Sequence, residues 1–139
     1  MIQELKEALP YLLQFQDKYF IIKLGGKVVD ENLENICEQI TLLHKLGIKI
    51  IVVHGGSTQL EKFSKKIGVE QKKVNGSRIT DNETLELTKM IYAGKVNIEI
   101  VAKLNKYKTS AIGLNGADGL LIKSTKRGIK KITNYATGE

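Results

Sequence analysis

The chain has no tryptophan, one cysteine (Cys37), one proline (Pro10) and two histidines in 139 residues. A lone cysteine cannot close an internal disulfide. That fits a reducing compartment, and a cytoplasmic location is expected. His44, His54 and Cys37 are too widely spaced to make a zinc cluster, so no metal site is expected. No apolar run approaches the ~20 residues that a bilayer span requires. The opening MIQELKEALP carries acidic residues and lacks both an apolar core and a small-residue cleavage site, so no signal peptide is expected. What is present is ordinary for one globular domain: 42% hydrophobic and 27% charged residues. This composition excludes collagen-like, mucin-like and intrinsically disordered chains.

The balance of charge is basic, 22 Lys+Arg against 15 Asp+Glu, for a net +7. Such a surplus suits anionic partners. Lysines such as Lys65, Lys66, Lys72 and Lys73 are scattered, and no basic stripe interleaved with aromatics occurs. Nucleic acid is therefore not the expected partner, and neither is a membrane.

The hydrophobic pattern alternates between two periods. Residues 2–15 have helical spacing through Leu5, Leu9, Leu12 and Leu13, with Pro10 expected to bend or restart the helix. Tyr19–Leu24 (YFIIKL) and Lys49–Val53 (KIIVV) read as buried strands, each running into a glycine pair. A helix is expected over 32–46, ended by Gly47, and another from a Ser57 cap to Gly68. Asn75-Gly76 marks a tight hairpin within 74–79. Thr80 or Asp81 caps a long helix over 83–105, expected to turn Leu85, Thr88, Met90, Ile91, Val96, Ile100, Val101 and Leu104 inward. SAIGL at 110–114 reads as a further buried strand, and residues 120–123 open another. The alternation predicts an α/β fold: an open, mainly parallel sheet with helices on both faces.

In such a sheet, ligands bind beyond the carboxyl ends of the strands. Gly25-Gly26, Gly55-Gly56 and the glycines at 113, 116 and 119 would gather there. They would offer close backbone approach and N–H groups, with helix N-termini behind them. Lys23, unusual inside an apolar strand, stands where its ammonium could meet a phosphate. No GxxxxGK[ST] or strand-to-helix GxGxxG motif is present. Asp118 suits its glycine turn, His54 a strand end, and Cys37 and His44 the packed side of a helix. Arg78 by itself could be a surface arginine of a hairpin.

The blocks ALPYLLQFQDKYFIIKLGGKVV, IIVVHGGSTQLEKFSKKIG, KKVNGSRITDNETLEL, MIYAGKVNIEIVAKLN and SAIGLNGADG come in an order and spacing that resemble the acetylglutamate kinases of the amino acid kinase family. The resemblance implies that Lys23 stabilises charge on a transferring phosphoryl group. It places Gly25, Gly26 and Gly55 near the phosphates, and Gly56 and Ser57 where backbone N–H groups meet substrate. Arg78 would hold the α-carboxylate of N-acetyl-L-glutamate. A guanidinium fork suits a planar carboxylate, and phosphoryl transfer needs alignment and positive charge more than covalent help. Also implied are ATP with Mg²⁺, bound mainly by a second half that this chain lacks. The implied arrangement is a homo-oligomer joined through an N-terminal helix, here residues 1–16, ahead of an acetylglutamate-binding domain at 17–139.

Three departures stand out. Ser57 replaces the usual third glycine, Ser77 a leucine and Ile98 a lysine. Serine after HGG also occurs in related kinases acting on carrier-protein-bound aminoadipate or glutamate, which form the alternative reading. A non-catalytic amino-acid-binding module is the third.

Overall fold

β-Branched and aromatic residues make two strands, β1 (Tyr19–Leu24) and β2 (Lys49–His54). They pair in parallel, from Tyr19 opposite Lys49 to Leu24 opposite His54. The computed structural model describes residues 2–69, 71, 73–74 and 77–125; the basic tail, residues 126–139, lies outside them. Parallel neighbours need a crossover, which is α2 (Gly26–Lys45). α1 (Ile2–Phe15) precedes the unit, runs through Pro10 without a break, and edges Phe15 against Phe20 of β1. α3 (Ser57–Ile67) follows β2. A short antiparallel hairpin, β3 (Lys73–Val74) with β4 (Ser77–Arg78), stands where Asn75-Gly76 was expected to turn, though residues 75–76 themselves lie outside the described set.

α2 begins at Gly26, earlier than the expected Asn32. The expected boundary survives as a kink, since Asn32 holds φ −135° and ψ 17° within the helix. Both helix ends were readable: Gly47 (φ +87°) and Gly68 (φ +75°) take the left-handed conformation that terminates α2 and α3. Ser57 does not cap α3. Gly56 is the N-cap, and Ser57 is the first helical residue.

The long helix expected over 83–105 is observed as three consecutive pieces: α4 (Asn82–Lys89), a π-helical segment (Met90–Val96) and α5 (Asn97–Lys106). Asp81 caps it, its Oδ1 accepting from the Thr84 N–H at 2.9 Å. The buried positions are Thr84, Leu87, Ile91, Val96, Ile100 and Leu104. Their spacing is three or four except across the π turn, where Ile91 and Val96 stand five apart. The wider turn keeps one face buried throughout. Leu85 and Met90, expected inward, are both exposed. Burying side chains such as Ile100 and Leu104 contributes ~1.5–3 kcal/mol each.

Leu24, Val29, Cys37, Ile40, Leu60 and this stripe form a single core with the inward strand residues Ile22, Ile50 and Val52. Burial raises the Cys37 thiol pKa. His44 is exposed, not on the packed face. α2 and α5 are also tied at the surface, where Glu34 accepts from Lys103, from Lys106 at 3.1 Å and from the Tyr107 hydroxyl at 2.7 Å.

The α/β class and the parallel pairing are as the alternation predicts. Among the described residues, however, the sheet has two strands and helices cover one of its faces. The other face shows Tyr19, Ile21, Ile51 and Val53, with Ile21 72% exposed. Residues 110–114 form no strand. The Thr109 N–H is taken by the Leu104 carbonyl and the Ala111 N–H by Asn105 Oδ1, so the segment is anchored to the end of α5 and not to the edge of β2. Residues 120–123 likewise form no strand. The N–H groups of Leu120, Leu121 and Ile122 close local turns around a single 3₁₀ turn (Asp118–Leu120).

Candidate functional site

Parallel pairing with Leu24 opposite His54 brings both strand ends, and therefore both glycine pairs, to one edge of the sheet. The Gly55 N–H donates to the Leu24 carbonyl at 3.1 Å, which ties the second turn to the end of the first strand. Gly25 is the N-cap of α2 in extended conformation, and a Cβ on it would meet nothing within 4 Å. Packing therefore leaves Gly25 open on the ligand side.

Gly26 is different. It is buried as the first residue of α2, and a Cβ on it would stand 3.0 Å from the backbone nitrogens of both Ser57 and Thr58. The N-terminal turn of α2 thus rests on the N-terminal turn of α3. In each helix the first i→i−4 bond runs to the cap carbonyl, from Val29 to Gly25 and from Leu60 to Gly56. The amides of residues 26–28 and 57–59 precede those bonds. Two positive helix ends are therefore held side by side, an arrangement that favours phosphate or carboxylate.

Ser57 costs nothing where it stands. It is helical and exposed, with no positive φ, so a side chain there is unstrained and its N–H stays available to an anion. Gly56 is buried, and its constraint is steric: a Cβ would lie 2.8 Å from Cδ1 of Tyr92 and 3.3 Å from Val96 Cγ2. Lys23 pairs with Val53 and projects on the open face of the sheet, exposed and without an ion pair among the described residues. Arg78 lies in β4 with its backbone opposite Lys73; its side chain is outside the described residues.

Three residues of this region were not singled out from the sequence. Gln59, 6% exposed, donates from Nε2 to the Gly26 carbonyl at 2.8 Å. Tyr92 covers Gly56. Asn97 lies against Gly113, where a Cβ would come within 2.3 Å of its Oδ1. No local pattern announces any of them, because each contact joins different elements. A glutamine three residues after an N-cap ordinarily reaches back within its own helix, whereas Gln59 reaches across to α2.

Beside the end of β2 lie two cavities. One of about 350 Å³ is lined by Ile50, His54, Asn97, Ile112 and Gly113. Another of about 650 Å³ is lined by Val53, His54, Tyr92, Leu114, Gly116 and Ile122. Both are of a size that takes small ligands. His54 sits between the turn and these cavities with Nδ1 3.2 Å from its neighbour's carbonyl, the Gly55 oxygen. Asp118 serves its own turn, accepting from the Asn115 N–H at 2.8 Å. Among the described residues no three His, Cys, Asp or Glu side chains gather as a metal site would need, and no helix is long and apolar enough to cross a membrane.

Comparison with known proteins places this geometry. The profile of the amino acid kinase family matches residues 18–138. The acetylglutamate kinase of Chlorobaculum parvum is 47% identical over 122 residues, which are 86% of this chain and 40% of that protein. That of Methanococcus maripaludis is 45% identical over 123 residues, 87% of this chain and 42% of that protein. The chain thus spans less than half the length of these curated relatives. Among solved structures, the N-acetylglutamate synthase of Neisseria gonorrhoeae in complex with coenzyme A and N-acetyl-glutamate superposes with a TM-score of 0.63 at 25% identity, over 76% of this chain and 25% of that one. The smu.665 protein of Streptococcus mutans does so with a TM-score of 0.62 at 26% identity, over 72% of this chain and 40% of that one.

Proposed function

The chain belongs to the amino acid kinase family, and from that premise we propose that it is the substrate-binding, amino-terminal half of an acetylglutamate kinase. The observation that carries this reading is the junction of Gly25-Gly26 with Gly56-Ser57 at the ends of two parallel strands, in a chain 47% identical to such a kinase. The full reaction joins an oxygen of the γ-carboxylate of N-acetyl-L-glutamate to the γ-phosphorus of ATP. The bond to the β-phosphate oxygen breaks, giving an acyl phosphate and ADP, in the service of arginine synthesis in the cytoplasm. Arg78 pairs bidentately with the α-carboxylate and fixes the acceptor. Lys23 and the amides of the two helix N-termini lie toward the phosphoryl group, where negative charge must be balanced as the γ-phosphoryl leaves.

The residues present fit the phosphates of ATP better than its metal. Glycine amides and a lysine are available, and no carboxylate cluster is found among the described residues. Mg²⁺, when bound with ATP, neutralises phosphate charge. Its ligands and the nucleotide pocket are assigned to a carboxyl-terminal half, and residues 17–139 to the acetylglutamate-binding domain. The N-terminal helix is assigned to homo-oligomer contacts, on the strength of exposed Leu9 and Leu13.

Calorimetry of the chain with N-acetyl-L-glutamate tests the reading. Saturable binding of the acetylated acid, with none of unacetylated L-glutamate, is expected. Absence of binding overturns it, and preference for a carrier-protein-linked amino acid would favour the related kinases.

A further inference from the structure

We propose that Gln59 is a positioning residue that clamps the two glycine turns into one anion cradle, an inference that rests on the substrate-binding reading above. The side chain leaves the first turn of α3 and is 6% exposed. Its Nε2 donates to the carbonyl of Gly26, thirty-three residues earlier, at 2.8 Å. Its Oε1 has no hydrogen-bond partner among the described residues. That oxygen stands 3.1 Å from where a Cβ of Gly26 would be, the same point that the Ser57 and Thr58 nitrogens approach to 3.0 Å. One amide is therefore wedged between the two helix N-termini, bonded to the first and carried by the second.

The chemistry separates this from packing. A buried acceptor without a partner disfavours folding, so a side chain that only filled space here would do better as leucine or methionine. What the amide alone supplies is the donor to Gly26. That bond sets the separation of the two turns, and with it the spacing of the amides offered to an anion. Glutamate of the same shape would turn a charged oxygen toward the Gly26 carbonyl and part them. Gly26 completes the contact from the other side, because any Cβ would hold the turns apart. Gln59 itself is too buried to touch a ligand, so its effect passes through the amides of Gly26, Lys27, Ser57 and Thr58.

The test is Gln59→Met, which keeps length and volume but loses the donor. Native-state hydrogen exchange of the whole chain is expected to speed up by about tenfold at Val29 and Leu60, the first hydrogen-bonded amides of the two turns. Ile22 and Val53, whose amides lie in the ladder between the strands, should keep their protection, which separates a local loosening from global unfolding. Affinity for N-acetyl-L-glutamate is expected to fall by about tenfold, the factor that one lost hydrogen bond can produce. A packing role would instead leave local exchange and affinity within about twofold of the parent, since methionine fills the same space, and that result overturns the proposal. Gly26→Ala reaches the same contact from α2. It should reproduce the faster exchange at Leu60, and unchanged exchange there also overturns the proposal. If the parent chain does not bind N-acetyl-L-glutamate, the substrate reading fails. The exchange measurements then decide the clamp on their own.

Discussion

Gly56 packs closely against the ring of Tyr92: a Cβ added to Gly56 would stand 2.8 Å from Cδ1 and 2.9 Å from Cε1. The contact joins the turn after β2 to the π-helical segment, so the wide helical turn and the glycine are two halves of one fit. Gly56→Ala should therefore destabilise the chain by ~1–3 kcal/mol through overpacking. Urea unfolding measures it. Combining Gly56→Ala with Tyr92→Ala should cost less than the two separate losses together, since the pair shares one contact. Strict additivity would mean that the ring does not constrain the turn.

Arg78 and Lys23 should separate in binding experiments. Arg78 is assigned to a carboxylate present in the ground state, Lys23 to charge that develops on the phosphoryl group. Arg78→Ala is expected to weaken N-acetyl-L-glutamate binding by roughly 10- to 100-fold, and Lys23→Ala by about threefold or less. Equal losses by calorimetry would contradict the assignment.

Glu34 should resist protonation. Hydrogen bonds from Lys103, Tyr107 and Lys106 hold its carboxyl at about 2, below the ordinary 4.5. A depressed carboxylate stabilises the folded chain above its unfolded pKa, and this support is lost as pH falls from about 4.5 through 2. The same hydrogen bond pushes the Tyr107 phenol up to about 12 from 10.0. Glu34→Gln should bring the Tyr107 titration back toward its ordinary value, read from its ring resonances. No movement would show that the bond to Glu34 is not what holds it. Glu34 is half exposed, so the acid effect should shrink with added salt.

The chain alone should show no kinase turnover. On the proposed reading it supplies one side of a phosphoryl clamp, and transfer needs charge and alignment around the whole group. A hydroxylamine trap for acyl phosphate should stay blank with ATP, Mg²⁺ and N-acetyl-L-glutamate. Adding the carboxyl-terminal half of a related kinase, fused or in trans, should restore product. The open sheet face with Ile21 and Ile51 is also expected to make the isolated chain associate. ATP-dependent product from the pure chain would show that this half is a complete enzyme.

The sequence by itself determined what depends on near neighbours. β-Branched runs marked both strands, glycines marked their ends and the ends of α2 and α3, and Asp81 marked the start of α4. The turns at Gly25-Gly26 and Gly55-Gly56 were legible because a strand followed by a glycine pair is a local pattern. Tertiary structure decided everything that depends on distant partners. Gly26 must be glycine because Ser57 and Thr58 pack on it, and Gln59 was invisible because its bond spans thirty-three residues. Residues 110–114 have the composition of a strand, but a strand needs a ladder. The amides of Thr109, just before the segment, and of Ala111 within it are spent on Leu104 and Asn105, and Ile112 is exposed. Leu85 and Met90 fell on the wrong side. Helical phase can be read from a sequence only while the period holds, and the π turn between Ile91 and Val96 shifts it.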